Sequence, residues 1–467
     1  MQRLRPTAGI AVGALALWLA LPSYLNYDTA WSLVWGGELA RGAPPNLEAL
    51  SAPTPHPLGT LLGVVLAPLG AAAGDAAALL VLGSLAAVVW LAFALGRAWF
   101  GAAAGWIAAA LVLTSVPLLT TTGRAYLDVP YLALVLGAVL VETRRRRAGA
   151  PVLALLAVAG LWRPEAWLFS AAYWVWFARG RPRARAARLA ALAAAAPLAW
   201  VVGDLVLAGD PLHSFTWTRE QAAALGRARG PGALEMSLPD KLANAVGVPV
   251  LIAGTAGLAL LLRRRPRTGG GLAAAALGAA LATAAVLTAA GMPVVERYLL
   301  LPLVLLIVLA AGAATEVWAL RGTTTAQRPG SRPAIAGFAG LAVAVLLASS
   351  VPGRLGAVAA QRDRLDAQAT LRADLRALAV GGGLPSGCAR VAASSHKLIP
   401  LLALWTARPP ASFAAEGPAE AYVEPATATA RRALLVASSD PPETTPSPPA
   451  GAVEVARNNA WRVEARC

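Results

Sequence analysis

Asp28, Asp128, Arg124, Arg163, Glu165, Glu296 and Arg297 all stand at the ends of apolar runs. Ionisable groups so placed in a membrane protein are costly unless paired or facing a wet cavity, so each invites a chemical reading. A carboxylate at a membrane edge can take the proton of an acceptor hydroxyl. A guanidinium can grip phosphate oxygens through two parallel bonds, and a histidine such as His56, in PTPHPL, can donate another. Each residue also has a plain structural reading. Asp28 and Asp128 precede helix-like stretches, where an aspartate caps the free N–H groups of the first turn, and Pro130 suits a helix start. Arg124 and Asp128, four residues apart, could form a surface pair of little energetic worth. His56 sits among prolines that stiffen its turn. Arg163 with Glu165, and Glu296 with Arg297, could be structural pairs or interfacial anchors.

The elements that must position these residues are apolar. Of the 467 residues 57% are hydrophobic and 14% charged, with mean hydropathy +0.60, whereas soluble domains are about 25% charged. Apolar runs of membrane-spanning length recur from Thr7 to Val351, which predicts a polytopic all-α membrane protein. The formal charge of +16 comes almost wholly from arginine. In a soluble chain it would point to nucleic acid. Here the arginines cluster between apolar runs, as in cytoplasmic loops, so nucleic-acid binding is rejected. The abundance of Ala and Arg over Lys has the look of a GC-rich bacterial coding bias. MQRLRP before an apolar run resembles a signal peptide, but the segment that follows is a poor mature start, so an uncleaved first helix is expected.

The arginine clusters at 144–147, 179–188, 263–267 and 321–332 are placed inside, with the N-terminus. The spans then fall near 8–25, 76–96, 101–119, 129–143, 150–162, 166–178, 189–208, 245–262, 270–291, 298–319 and 334–351, about eleven in all. The run 58–69 is too short to span and reads as interfacial or re-entrant. This arrangement places the segment 26–75, TTTGRAYLDVP (120–130), WRPEAW (162–167), the loop 209–244 and PVVERY (293–298) together on the outer face. Trp31, Val34, Trp35 and Leu39 form one apolar stripe, which predicts an amphipathic helix lying on that surface. In the loop 209–244, Arg227 to Gly232 reads as flexible and SLPD (237–240) as the start of another surface helix; the loop either closes over substrate or is a plain connector. The Gly-rich run 268–272 reads as a flexible cytoplasmic linker. No metal motif stands out: His56, His213 and His396 are far apart, and a divalent ion has no clear ligand set.

The domain boundary is expected near 351, with a membrane body at 1–351 and a small outer α/β domain at 352–467. In the latter a charged helix (361–378) precedes three strand-like runs, CARVAASS, RRALLVASS and AVEVARNNAWRVEARC, with a helix-like stretch at 397–406 and a Pro-rich loop at 440–450. Its Cys388 and Cys467 could form a disulfide outside the cell.

The motifs YDTAWSLVWGGELARG, PTPHPL, GRAYLDVP, LWRPEAW and ERYLLLP, in this order and on one face, resemble those of the GT-C glycosyltransferases. The chain is most similar to bacterial relatives of the protein O-mannosyltransferases and the lipid A aminoarabinose transferases. The resemblance implies transfer of a hexosyl or pentosyl unit from a polyprenyl-phosphate carrier to a protein, glycan or lipid hydroxyl on the outer face of the plasma membrane. It implies that Asp28 is the catalytic base and Asp128 the second acidic residue. His56, Arg124, Arg163, Glu165, Glu296 and Arg297 then serve substrate or lipid phosphate, and no cofactor is required, although some relatives use a metal. The sequence departs from the usual pattern at Asp28-Thr29, where many relatives pair two acids, and at His56-Pro57-Leu58. Rival readings are a flippase for lipid-linked sugars, an envelope scaffold and an O-antigen-ligase-like enzyme. A flippase would place its polar groups near the bilayer midplane, often within internal repeats, and neither feature is seen.

Overall fold

The computed structural model describes residues 13, 20–47, 49, 52–224, 226, 230–292, 296–315, 331–415, 417–436, 448 and 450–467. Asn26, rather than Asp28, caps α1 (Tyr27–Ala40): its side-chain oxygen accepts from the Thr29 N–H at 3.0 Å. α2 (Pro57–Leu66) opens on a proline, whose missing N–H is no loss in a first turn. A 3-10 segment, Ala67–Ala72, breaks at Gly70 (φ 53°) before α3 (Ala73–Phe100). α4 (Ala102–Leu113) and α5 (Val116–Gly123) meet at a bend of 55°, so the stretch expected as one span at 101–119 is two helices, the form of a broken span or a re-entrant loop. There follow α6 (Asp128–Arg144), α7 (Ala150–Trp162), α8 (Glu165–Ala178), α9 (Arg183–Ala208), α10 (His213–Ala224), α11 (Pro231–Val246) and α12 (Val248–Arg264). The body ends with α13 (Gly271–Ala289), α14 (Leu300–Ala314) and α15 (Ser331–Ser349), and α16 (Val351–Val380) leads out of it.

Among the described residues five helical runs are long and apolar enough to cross a membrane, or up to seven if each bent pair is one span. The chain is a multi-pass membrane protein. The expected first span lies mostly outside the described residues. α7, with 13 residues, and α8, with 14, are shorter than a lone span needs. α14 lies at the centre: its sequence, LLPLVLLIVLAAGAA, is apolar on every face, and all 15 residues are buried against α12, α3 and α4. α9 turns Leu198, Val202, Leu205 and Val206 outward, an apolar surface suited to lipid.

Three local expectations are corrected. The segment 209–244 is largely α10 and α11, and SLPD lies inside α11 instead of starting it; residues 227–229 are outside the described set. The glycine run at 268–272 is no linker. It forms a helical turn into α13, where a Cβ at Gly270 would lie 2.6 Å from Leu262 Cα, so close packing requires the glycine. The run RRALLVASS is helical as far as Val436, because α18 (Ala428–Val436) crosses over to the next strand; 437–440 are outside the described residues.

The tail carries a five-stranded sheet, β1 (Val391–Ala393), β2 (Phe413–Ala414), β3 (Ala421–Pro425), β4 (Val453–Arg457) and β5 (Trp461–Ala465), in the order β2-β1-β3-β5-β4. β1 runs parallel to β2 and β3, while β5 is antiparallel to β3 and β4. α17 (Ile399–Thr406) fills the connection between β1 and β2. Cys388 and Cys467 are bonded, with Cα atoms 5.3 Å apart. Trp461 is fully buried and donates its indole N–H to the Leu371 carbonyl of α16 at 2.7 Å.

One apolar cluster joins this tail to α1. It holds Trp31, Val34 and Trp35 together with Leu371, Leu375, Leu402 and Trp461. α1 is therefore no surface helix with one wet face, since Thr29 through Glu38 are all buried. Its other side meets α2 at the closest range a backbone permits: a Cβ on Gly36 would lie 2.3 Å from the Gly63 carbonyl carbon, and one on Gly63 2.3 Å from the Ser32 oxygen.

Candidate functional site

The start of α1 is fixed to the turn after α5. Tyr24 N–H donates to the Gly123 carbonyl at 2.8 Å and Asn26 N–H to that of Arg124 at 3.1 Å. The Asn26 amide donates to the carbonyls of Arg124 and Ala125 at 2.8 and 2.9 Å, and the Thr29 hydroxyl adds a bond to Ala125 at 2.8 Å. These bonds hold the buried Ala125 at φ 47°, a left-handed conformation that an alanine adopts only when its surroundings impose it. Because Asn26 does the capping, Asp28 at the second helical position is left to face inward.

Asp28 accepts from Arg297 Nη1 at 2.5 Å, across 269 residues of sequence. Burial pushes the Asp28 pKa up, but the Arg297 guanidinium, helped by Arg163, outweighs it and holds the carboxyl below its ordinary value. Asp128 does not pair with Arg124. It stands in the first turn of α6, behind Leu127, and is ion-paired with Arg163. Both side chains of that pair are 8% exposed, and Arg163 also stands 4.0 Å from a Glu165 carboxylate oxygen. The other Glu165 oxygen is buried without a hydrogen-bond partner. His56 precedes α2 and turns its ring edge-on to Trp200 at 5.5 Å. Burial, reinforced by the charge of Arg163, lowers its pKa to about 3, so the imidazole is neutral and its Nδ1 has no partner. Arg124 lies over the Tyr126 ring at 5.1 Å, and Arg297 approaches the same ring at 5.9 Å. Glu296 is exposed and makes no pair with Arg297.

All of these except Asp128 line one cavity of about 1450 Å³, and Asp128 borders a small recess that shares Arg163, Glu165 and Arg297 with it. The cavity is closed on one side by Trp167 and Trp200, whose indole N–H groups both donate to the Gly160 carbonyl, at 3.1 and 2.9 Å. Among the described residues no group of three His, Cys, Asp or Glu side chains is placed to hold a metal ion.

The chain matches ArnT from Cupriavidus metallidurans bound to undecaprenyl phosphate at a TM-score of 0.59 and 15% identity, over 99% of this chain and 98% of that one. The two chains share a fold over nearly their whole length. The apo state of the same protein matches at 0.54 and 14%, over 100% and 98%. AglB from Archaeoglobus fulgidus, in complex with an inhibitory peptide and a dolichol-phosphate, matches at 0.46 and 13%, over 86% and 63%, too distant to argue from. No family model matches the chain, and no curated protein sequence matches it significantly.

Within this fold several cavity residues carry little signal in the sequence. Asn26 was overlooked although asparagine is as good a cap as aspartate, so the helix start was displaced by two residues. Tyr24 lies just before the motif that opens on Tyr27, and Tyr126 lies inside GRAYLDVP, where its charged neighbours Arg124 and Asp128 draw the reading. Arg372, from α16, also lines the cavity; it lies among other charges on a polar helix, and nothing local separates it from a solvated residue.

Proposed function

We propose that this protein is a membrane glycosyltransferase that moves a sugar from a polyprenyl-phosphate carrier to an acceptor hydroxyl, with Asp28 as general base. The observation that carries the reading is the convergence of Asp28, Arg297, Arg163, Glu165 and His56 on one large cavity in a GT-C fold. The Cys388–Cys467 disulfide and the arginine-rich segments 144–147, 179–188 and 263–267, none of which lines the cavity, support an outward-facing site in the plasma membrane, with the N-terminus inside.

In this mechanism the acceptor oxygen attacks the anomeric carbon as the bond to the lipid phosphate oxygen breaks. The bonding pair leaves with the phosphate, and the acceptor proton passes to Asp28. One displacement inverts the carbon. Arg297 and Arg163 stabilise the charge that develops on the leaving phosphate, and the neutral His56 contributes one N–H. Asp128 acts as a positioning residue that fixes Arg163. The unpartnered Glu165 oxygen accepts from a donor-sugar hydroxyl, and Glu296 stands where substrate enters. A carboxylate held low by an arginine is a weak base. As the donor phosphate draws Arg297 towards itself, Asp28 regains proton affinity, which couples donor binding to activation of the acceptor.

The test incubates purified protein with radiolabelled polyprenyl-phosphate sugars, both hexosyl and pentosyl, and a cell-envelope extract. Label is expected to leave one lipid for a component of the extract. Protein that binds the lipids yet releases no sugar from any of them contradicts the proposal.

A further inference from the structure

Three helices have one end at the cavity and the other in a cluster of arginines. α6 runs from Asp128 to Arg144, α8 from Glu165 to Ala178, and α9 from Arg183 to Ala208 with Asp204 on the cavity wall. At 1.5 Å per residue the two ends of α6, and those of α8, lie about 20–25 Å apart. From 129 to 203 the chain has only two acidic residues, Glu142 and Glu165, and Glu165 is at the cavity. Glu142 is buried, and it accepts from the Arg147 and Ala148 N–H groups at 2.6 and 3.2 Å and from the Tyr173 hydroxyl at 2.7 Å.

The guanidiniums of the cluster are therefore held by other means. Arg147 lies 5.0 Å from the centre of the Trp176 ring and donates through Nη1 to the Arg179 carbonyl at 3.2 Å. Arg181 and Arg185 both approach the ring of the buried Phe177, at 5.5 and 5.9 Å. Arg147, Arg181 and Arg185 have no ion pair among the described residues, and Nε of Arg181 is buried without a partner. α9 begins in the same place. Its cap, Pro182, makes no side-chain bond, its first turn holds no acid, and Arg183 and Arg185 stand there instead. The positive end of the helix dipole repels such cations and attracts an anion. Converging arginines with spare donors and no counter-charge, set at a helix N-terminus, are the surroundings of an anion.

The cluster lies at a rim, which bears on what fills it. Val175 is 44% exposed on the apolar face of α8, and Trp174 and Trp176 on either side of it are half-buried. Trp174 donates its indole N–H to the Ala186 carbonyl of α9 at 2.9 Å. Tryptophans beside arginines at the end of an apolar helix mark the level where hydrocarbon gives way to headgroups. An occupant that brings its charge to the arginines and lays apolar chains along α8 is a phospholipid. A zwitterionic headgroup would set its own ammonium against the arginines, so the lipid that fits is anionic.

We propose that the turns 145–149 and 179–182 form a seat for one anionic phospholipid headgroup, at the end of the membrane body away from the cavity. The lipid phosphate accepts from Arg181, Arg185 and the open N-terminus of α9, with Arg147 beside it. A lipid seated there ties the α6–α7 turn to the α8–α9 turn and steadies the helices that carry Asp128 and Glu165. The seat is separate from the transfer chemistry.

The experiment titrates the full chain in detergent micelles at low salt with dioleoyl-phosphatidylglycerol or dioleoyl-phosphatidylcholine and follows bound lipid by native mass spectrometry. The proteins are the wild type and three double variants: Arg181→Gln with Arg185→Gln, Arg181→Lys with Arg185→Lys, and Arg263→Gln with Arg264→Gln. The last removes two exposed arginines from a different cluster. The wild type is expected to bind its first phosphatidylglycerol about tenfold or more tightly than phosphatidylcholine. The glutamine pair at 181 and 185 should weaken it about tenfold or more, and the pair at 263 and 264 by less than about twofold. The lysine pair should keep an intermediate affinity, which separates loss of charge from loss of structure. A wild type that takes both lipids alike would overturn the proposal. So would an equal loss in the two glutamine pairs, which would mean diffuse attraction to a basic surface. Displacement of phosphatidylglycerol by inorganic phosphate at constant ionic strength would also overturn it, since the occupant would then be a free anion.

Discussion

Asp28 and Asp128 differ in setting more than in chemistry. The Asp28–Arg297 pair is about a quarter exposed, while Asp128–Arg163 is buried. Removing one partner of a buried pair leaves a charge without compensation, at a cost of about 3–5 kcal/mol. Arg163→Ala should therefore lower stability by that amount in thermal melts, and Asp28→Asn by under about 1 kcal/mol. His56 gives a pH signature. Its pKa falls from 6.5 to about 3 on folding, so between those values the unfolded chain binds a proton that the folded chain does not. The stability tied to neutral His56 is complete above pH 6.5 and is lost as pH falls towards 3. Wild-type melting temperature should drop more between pH 7.5 and 4.5 than that of His56→Asn. Charges at the ends of apolar runs have few innocent uses, and those singled out in the sequence, Asp128 excepted, line one cavity. The sequence mispaired them, since Asp128 with Arg124 is the near choice and Asp128 with Arg163 needs α6 and α7 packed side by side.

α1 and α2 set the distance between Asp28 and His56. Both residues sit at helix starts, and the two helices touch through Gly36 and Gly63, about two turns further along. Gly36→Ala meets backbone instead of a flexible side chain, so the helices must part. Overpacking of this kind costs about 1–3 kcal/mol, and transfer should fall more than stability does, because a shift of about 1 Å at reacting groups costs about a hundredfold. Melts and turnover measured on the same preparation check this. The positions of the helices were legible, since apolar runs of span length leave little choice. The burial of α1 was not. Its stripe of Trp31, Val34 and Trp35 implied one covered face, but what covers it comes from Leu371, Leu375 and Trp461, more than 300 residues later.

The molecule as a whole is a membrane body and a tail that share α1. The disulfide that closes the tail links residues 79 apart, and loop-closure entropy gives such a link about 4 kcal/mol. Cys388→Ser should therefore lower tail stability by about that amount and make the region after α16 sensitive to protease, while α14 and its neighbours keep their protection. The helical body was readable from composition. The α/β character of the tail was readable too, but short strands such as Phe413–Ala414 leave too few residues for a periodic signal. In the proposed mechanism one carboxylate, Asp28, takes the acceptor proton, and a single-turnover assay isolates its part. Wild type and Asp28→Asn, both shown folded and able to bind a radiolabelled polyprenyl-phosphate sugar, are mixed with acceptor extract, and release of label from the lipid is followed. A drop of about 10²–10⁴-fold is expected for Asp28→Asn with lipid binding retained. Equal rates for the two proteins would contradict that role for Asp28.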